Sequence, residues 1–183
     1  VSAFLLNRSS DLAIDAFDIA DFRGPKLRDE LEKHLKTGRI AGILYSSPNN
    51  PSWMCLTDDE LRTIGELATK YDTIVLEDLA YFNMDFRDPD RGHPYAEPYQ
   101  PSVGHYTHNS IQLISCSKMF SYAGQRAAFV AIDPVLAKRV YPALGERLHN
   151  NGELLQSYAY VFLYALSSGV CHSVQYAMAA MLQ

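Results

Sequence analysis

Three short apolar runs, each ending in polar residues able to do chemistry, set the frame for this chain. Ala41-Gly42-Ile43-Leu44-Tyr45 leads into Ser47-Pro48-Asn49-Asn50-Pro51-Ser52. Ile74-Val75-Leu76 leads into Glu77-Asp78-Leu79-Ala80-Tyr81, and Ile111 to Ser115 leads into Cys116-Ser117-Lys118. Apolar, β-branched runs of this length, bounded by turn formers, read as buried strands. Between the first two lies an amphipathic helix: Thr57 with Glu60 three residues later is a capping box, and Leu61, Ile64 and Leu67 form an inward stripe to about Lys70. Strand–helix–strand alternation favours a parallel sheet with right-handed crossovers. The expected fold is α/β, a mostly parallel sheet with flanking helices in three α/β/α layers.

The other elements fit around this frame. Val1 to Asn7 is a further strand candidate. Leu27, Leu31 and Leu35 give an amphipathic helix over about Pro25 to Leu35, with Arg28, Asp29, Glu30 and Lys33 on its solvated face. From Asn83 to about Asn109 regular periodicity gives way to a loop with Pro89, Pro94, Pro98 and Pro101, long enough to read as a lid or an interface segment. His93, His105 and His108 in this loop are too scattered for a metal site. Ala127 to Ile132 reads as another strand. Asp133-Pro134 opens a helix to about Gly145 by N-cap and N1-proline preference. The tail from Glu153 to Gln183 reads as two helices broken at Ser167 to Gly169, and the stripe Tyr158, Tyr160, Phe162, Tyr164 reads as packing or dimer contact.

Charge and composition narrow the functional classes. The 183 residues carry a formal net charge of −5, which gives no basic footprint for nucleic acid. No apolar run is long enough for a membrane-spanning helix, and no signal-type segment is seen at Val1. Cys55, Cys116 and Cys171 lack metal-ligand spacing and fit free thiols in a reducing compartment, so the expected location is the cytoplasm.

The chemistry is concentrated where the strands end. Ser115, Ser117, Lys118 and Arg126 combine hydroxyls, an amine and a guanidinium within a few residues. Hydroxyls and a guanidinium fork suit a phosphate, and a lysine freed of its proton can form a Schiff base with a carbonyl. A phosphate and an aldehyde on one small molecule describe pyridoxal 5′-phosphate (PLP). Asp78 closes its strand at the edge where open α/β sheets bind ligands. A carboxylate there can keep a pyridine nitrogen protonated, as PLP requires to act as an electron sink. The Asn50 amide would sit at the same edge.

In their order, Asn50-Pro51-Ser52, Asp78 to Tyr81, and Ser115 to Lys118 with Arg126, these segments resemble the class I/II aminotransferases among the fold-type I PLP enzymes. The resemblance runs from about Asp18 to about Leu144. It implies that this chain is a PLP-transferase-like large domain, in which Lys118 is the catalytic lysine forming the internal aldimine. Asp78 would pair with the pyridine nitrogen, and Asn50 and Tyr81 would hydrogen-bond the phenolic oxygen. Ser115, Ser117 and Arg126 would hold the phosphate. The implied substrates are an amino acid and a 2-oxo acid, and the implied full-length form is a homodimer.

Two positions depart from the family pattern: Trp53 and Ala128 stand where glycine is usual. Length departs as well. The resemblance implies that residues 1–183 are a partial large domain, lacking an N-terminal segment and a C-terminal small domain, and inactive alone. A C–S lyase or another amino-acid lyase, and a non-catalytic aminotransferase-like sensor domain, remain open as alternatives because the same residues serve several reactions.

Overall fold

The computed structural model describes residues 3–7, 11–14, 22–87 and 97–182. Val1, the Asp18 start of the family resemblance, and Pro89, His93 and Pro94 of the long loop lie outside these residues.

Hydrophobic spacing places the helices as the sequence indicates. Helix α1 spans Pro25–Leu35 and buries Leu27, Leu31 and Leu35. Helix α2 spans Asp58–Lys70 and buries Leu61, Ile64 and Leu67, each contributing about 1.5–3 kcal/mol by leaving water. The Thr57 capping box is formed in both directions: Thr57 Oγ1 accepts from Glu60 N, and a Glu60 carboxylate oxygen accepts from Thr57 N at 2.8 Å. The other Glu60 oxygen accepts from Arg23 Nε at 2.6 Å and Gly24 N at 2.7 Å. One carboxylate thus joins the entries of α1 and α2. On the outer face of α1, Arg28 pairs with Glu66 of α2 and Lys33 with Glu30.

The strands are β1 (Ala3–Asn7), β2 (Asp11–Ile14), β3 (Ile40–Ser46), β4 (Ile74–Asp78), β5 (Ser110–Ser115) and β6 (Ala128–Ile132). They form a six-stranded sheet in the order β2-β1-β3-β4-β5-β6. The parallel pairing expected from strand–helix–strand alternation holds at the centre, β3 with β4 and β4 with β5. Both flanks are antiparallel, with β1 against β2 and β3, and β6 against β5. The sheet is therefore mixed. On the β6 side the connection from β5 holds only a four-residue helix (Cys116–Met119) and one tight turn, with no crossover helix to carry the chain over the sheet, and β6 returns antiparallel.

Along β4, Val75 and Glu77 are buried whereas Ile74, Leu76 and Asp78 are half-buried. Val75 packs in the main core with Ile43, Tyr45, Leu31, Leu61 and Leu67. Glu77, fully buried, accepts from Tyr45 Oη at 3.0 Å, Ser102 Oγ at 2.5 Å and Val103 N at 3.3 Å. This network ties the end of the long loop to the strand that carries Asp78. His108, in the same loop, hydrogen-bonds Asp133 at 3.0 Å.

The segment after β6 differs from expectation. In place of one helix to about Gly145 there are two, α4 (Pro134–Ala137) and α5 (Pro142–Leu148). Pro142 has no N–H to continue α4 and forces Tyr141 into an extended conformation (φ −116°, ψ 100°). The tail breaks where expected. Helix α6 (Leu154–Ser157) runs into a π-helical stretch over Tyr158–Ala165, and Ser168 and Gly169 take positive φ before α7 (His172–Met181). Val174 and Met178 of α7 pack with Cys116 and Phe129. Tyr160, Phe162 and Tyr164 of the aromatic stripe are exposed, with Phe162 set against Tyr158 of the same stripe at 6.1 Å between ring centres.

Candidate active site

Register brings the polar turns to one edge of the sheet. Ser46, the last residue of β3, pairs with Asp78, the last of β4, and Asp78 pairs in turn with Leu113 of β5. Ser115 ends β5 and pairs with Ala128, the first residue of antiparallel β6. Asn50 follows β3, Asp78 ends β4 with Tyr81 just beyond it, Ser115 ends β5 with Ser117 and Lys118 just beyond it, and Arg126 precedes β6. Segments far apart in sequence therefore open at the same C-terminal edge, where open α/β sheets bind ligands.

The Asn50 turn is closed by its own groups. Asn49 N donates to Met54 O at 2.9 Å, Trp53 N donates to Asn49 O at 2.7 Å, and Ser52 Oγ donates to Asn49 Oδ1 at 3.0 Å. Ser47 Oγ, just before the turn, accepts from Leu56 N at 3.0 Å. With Asn49 spent on the turn, Asn50 is left to point outward, and its Nδ2 donates to Tyr81 Oη at 2.7 Å. This contact joins the first two clusters directly.

Asp78 is half-buried, and its Oδ1 accepts from Ala80 N at 3.0 Å, which shapes the chain toward Tyr81. Its Oδ2 has no hydrogen bond among the described residues. Ser115 caps the short helix α3 (Cys116–Met119), its Oγ accepting from Ser117 N at 3.2 Å. The Ser115 hydroxyl proton stays available to a ligand. Lys118 is exposed in α3. Arg126, also exposed, has left-handed backbone (φ 55°) and donates from Nη1 to Ala123 O at 2.9 Å. That bond uses one of the five N–H groups of the guanidinium. Lys118 and Arg126 share the β5–β6 connection, but no hydrogen bond links either to Asp78, Asn50 or Tyr81 among the described residues.

Residues 25–183 match the family model described as aminotransferase class I and II. The chain belongs to that family. Class I and II aminotransferases are PLP-dependent. Aspartate aminotransferase of Pyrococcus horikoshii is 30% identical over 116 residues, covering 63% of this chain and 27% of that protein. The mitochondrial kynurenine/alpha-aminoadipate aminotransferase of Rattus norvegicus is 32% identical over 108 residues, 57% of this chain and 23% of the relative. A Thermus thermophilus aspartate aminotransferase double mutant shares the fold at a TM-score of 0.55 and 15% identity, over 78% of this chain and 30% of that one. The chain spans about a quarter of the length of the curated relatives it matches.

The donor set fits the family's cofactor. A carboxylate with an unused oxygen, an amide–hydroxyl pair, an amine, serine hydroxyls and a guanidinium with spare donors meet at one edge. Both departures from the aminotransferase pattern have a structural account. Trp53 takes φ 54°, where a side chain costs roughly 1–2 kcal/mol that glycine does not. Glycine suits the family turn for that reason, and here packing must hold the tryptophan in place. Ala128 is an ordinary strand residue, so its position does not require glycine.

Two features went unsingled in the sequence. Glu77 could have been found from its alternation with Val75, which puts a carboxylate on the buried face. Phe86 beneath Trp53 had no signal, because their stacking depends on how the chain turns after Tyr81.

Proposed function

We propose that this chain carries the cofactor-holding edge of a PLP-dependent aminotransferase that moves an amino group between an amino acid and a 2-oxo acid. The observation that carries this reading is the convergence of the β3, β4 and β5 termini, sealed by the Asn50–Tyr81 hydrogen bond. Membership of the family supports it. PLP, when bound, supplies an aldehyde that accepts the amino group and a ring that takes up negative charge.

The chain's own residues divide the remaining work. Asp78 holds the proton on the pyridine nitrogen through its carboxylate charge. The Asn50 amide and Tyr81 hydroxyl, already in contact, orient the phenolic oxygen. Ser115, Ser117 and Arg126 would hold the phosphate, the guanidinium offering paired N–H donors suited to two oxygens. Lys118 would hold the cofactor through its amine, and the same amine is the base that would move the substrate's α-proton. The full-length protein acts as a homodimer.

Comparing wild type and Lys118→Ala as full-length proteins tests the reading. Wild type develops visible absorbance with PLP and transfers amino groups, and the variant loses both. Unchanged turnover in the variant overturns it.

A further inference from the structure

The Asn50 turn presents one large residue that the proposed chemistry leaves unused. Trp53 is the sole tryptophan of the sequence and sits at a positive φ of 54°, where side chains are unfavourable. Strained positions of this kind persist where the surroundings hold them, and they cluster at ligand sites. The indole lies edge-on against Tyr81, with ring centres 5.4 Å apart at 69°, and nearly parallel to Phe86 at 6.3 Å and 14°. Even so, Trp53 is 43% exposed and Phe86 74% exposed. Tyr81 carries the hydroxyl that accepts from Asn50, so this open aromatic surface begins one ring away from the cofactor-binding pair.

The surface is apolar and its neighbouring charge is already used. Arg87, next to Phe86, donates from Nε and Nη2 to the Asp85 carboxylate at 2.8 and 2.6 Å, and from Nη1 to Cys55 O at 3.2 Å. An acidic side chain arriving here would meet two ring faces and a guanidinium already neutralised. A flat apolar side chain would gain stacking and edge contacts.

We infer that Trp53 and Phe86 form an aromatic wall at the mouth of the site that selects amino acids and 2-oxo acids with aromatic side chains over acidic ones. The inference rests on the aminotransferase reading of this edge. Trp53 and Phe86 act on substrate choice and take no part in proton movement.

The test is calorimetric binding to the full-length, PLP-loaded protein, using 3-phenylpropionate and succinate, which have no amino group to react. Trp53→Gly removes the ring and relieves the positive-φ strain, so it preserves the turn; Phe86→Ala is the second variant. Each variant should weaken 3-phenylpropionate by about tenfold, the scale of one aromatic contact, and leave succinate within about twofold. Equal weakening of both ligands, no weakening of either, or tighter wild-type binding of succinate than of 3-phenylpropionate overturns the wall. If 3-phenylpropionate follows the expected pattern while wild type transfers no amino group, the wall stands and the aminotransferase reading fails.

Discussion

Replacing Glu77 by leucine separates two roles that a buried carboxylate can play. In the native protein this group accepts from Tyr45 Oη at 3.0 Å, Ser102 Oγ at 2.5 Å and Val103 N at 3.3 Å. Tyr45 and Val103 are buried, so their donors have no water to turn to. Ser102 is half-buried and can reach solvent. Two stranded donors at about 1–3 kcal/mol each give about 2–6 kcal/mol, and relief of the buried charge offsets part of it. The expected net loss is about 2–4 kcal/mol by urea unfolding with linear extrapolation. Glu77→Gln keeps an acceptor oxygen, and the Ser102 hydroxyl can rotate to accept from the new amide. Its loss should stay below about 1 kcal/mol. Burial raises the Glu77 carboxyl above its ordinary value of 4.5, against the Ser102, Tyr45 and Val103 donors that lower it. The folded protein therefore binds this proton more tightly than the unfolded chain does. The contribution is fully present below about pH 4.5 and is lost as pH rises through the folded value, a dependence that Glu77→Gln removes. A leucine variant within about 1 kcal/mol of wild type would refute the reasoning about stranded donors.

Further perturbations test other parts of the structure. In Gly65→Ala the added Cβ would meet Tyr106 Cβ at 2.6 Å and its backbone carbon at 3.0 Å; thermal unfolding should show a loss of about 1–3 kcal/mol despite the better helix former. Burial would raise the Glu60 carboxyl, but the Arg23 guanidinium and the Thr57 and Gly24 amides outweigh it and hold the group below 4.5. Its contribution is present above that pH and lost as pH falls through the lowered value, so Glu60→Gln should flatten the acid limb of a stability–pH curve. Tyr81→Phe deletes the acceptor for Asn50 Nδ2. It should weaken PLP binding by about threefold to tenfold in a spectrophotometric titration, the scale of one hydrogen bond, while unfolding changes little.

What the sequence made legible followed from short-range chemistry. The Thr57–Glu60 capping box, the Leu27-Leu31-Leu35 stripe and the three apolar runs each depend on neighbours a few residues away, and the structure places them as read. The shared edge for Asn50, Asp78 and Ser115 was legible because strand ends in parallel units fall together. Antiparallel β6 and the division at Pro142 were not. The first depends on how a short return folds against β5, and the second on one proline outweighing a favourable helix start at Asp133. Trp53 was visible as a departure from the glycine pattern, but its stacking on Phe86 is a long-range contact with no periodic trace.

The central claim is that Lys118 meets the cofactor at the edge shared by Asn50, Asp78 and Ser115. Incubation with PLP, borohydride reduction and peptide mass mapping of the full-length protein test it most directly. The account predicts one dominant reduced phosphopyridoxyl group, on the peptide containing Lys118. Labelling scattered over surface lysines, or concentrated on a lysine away from the β5–β6 connection, would contradict it.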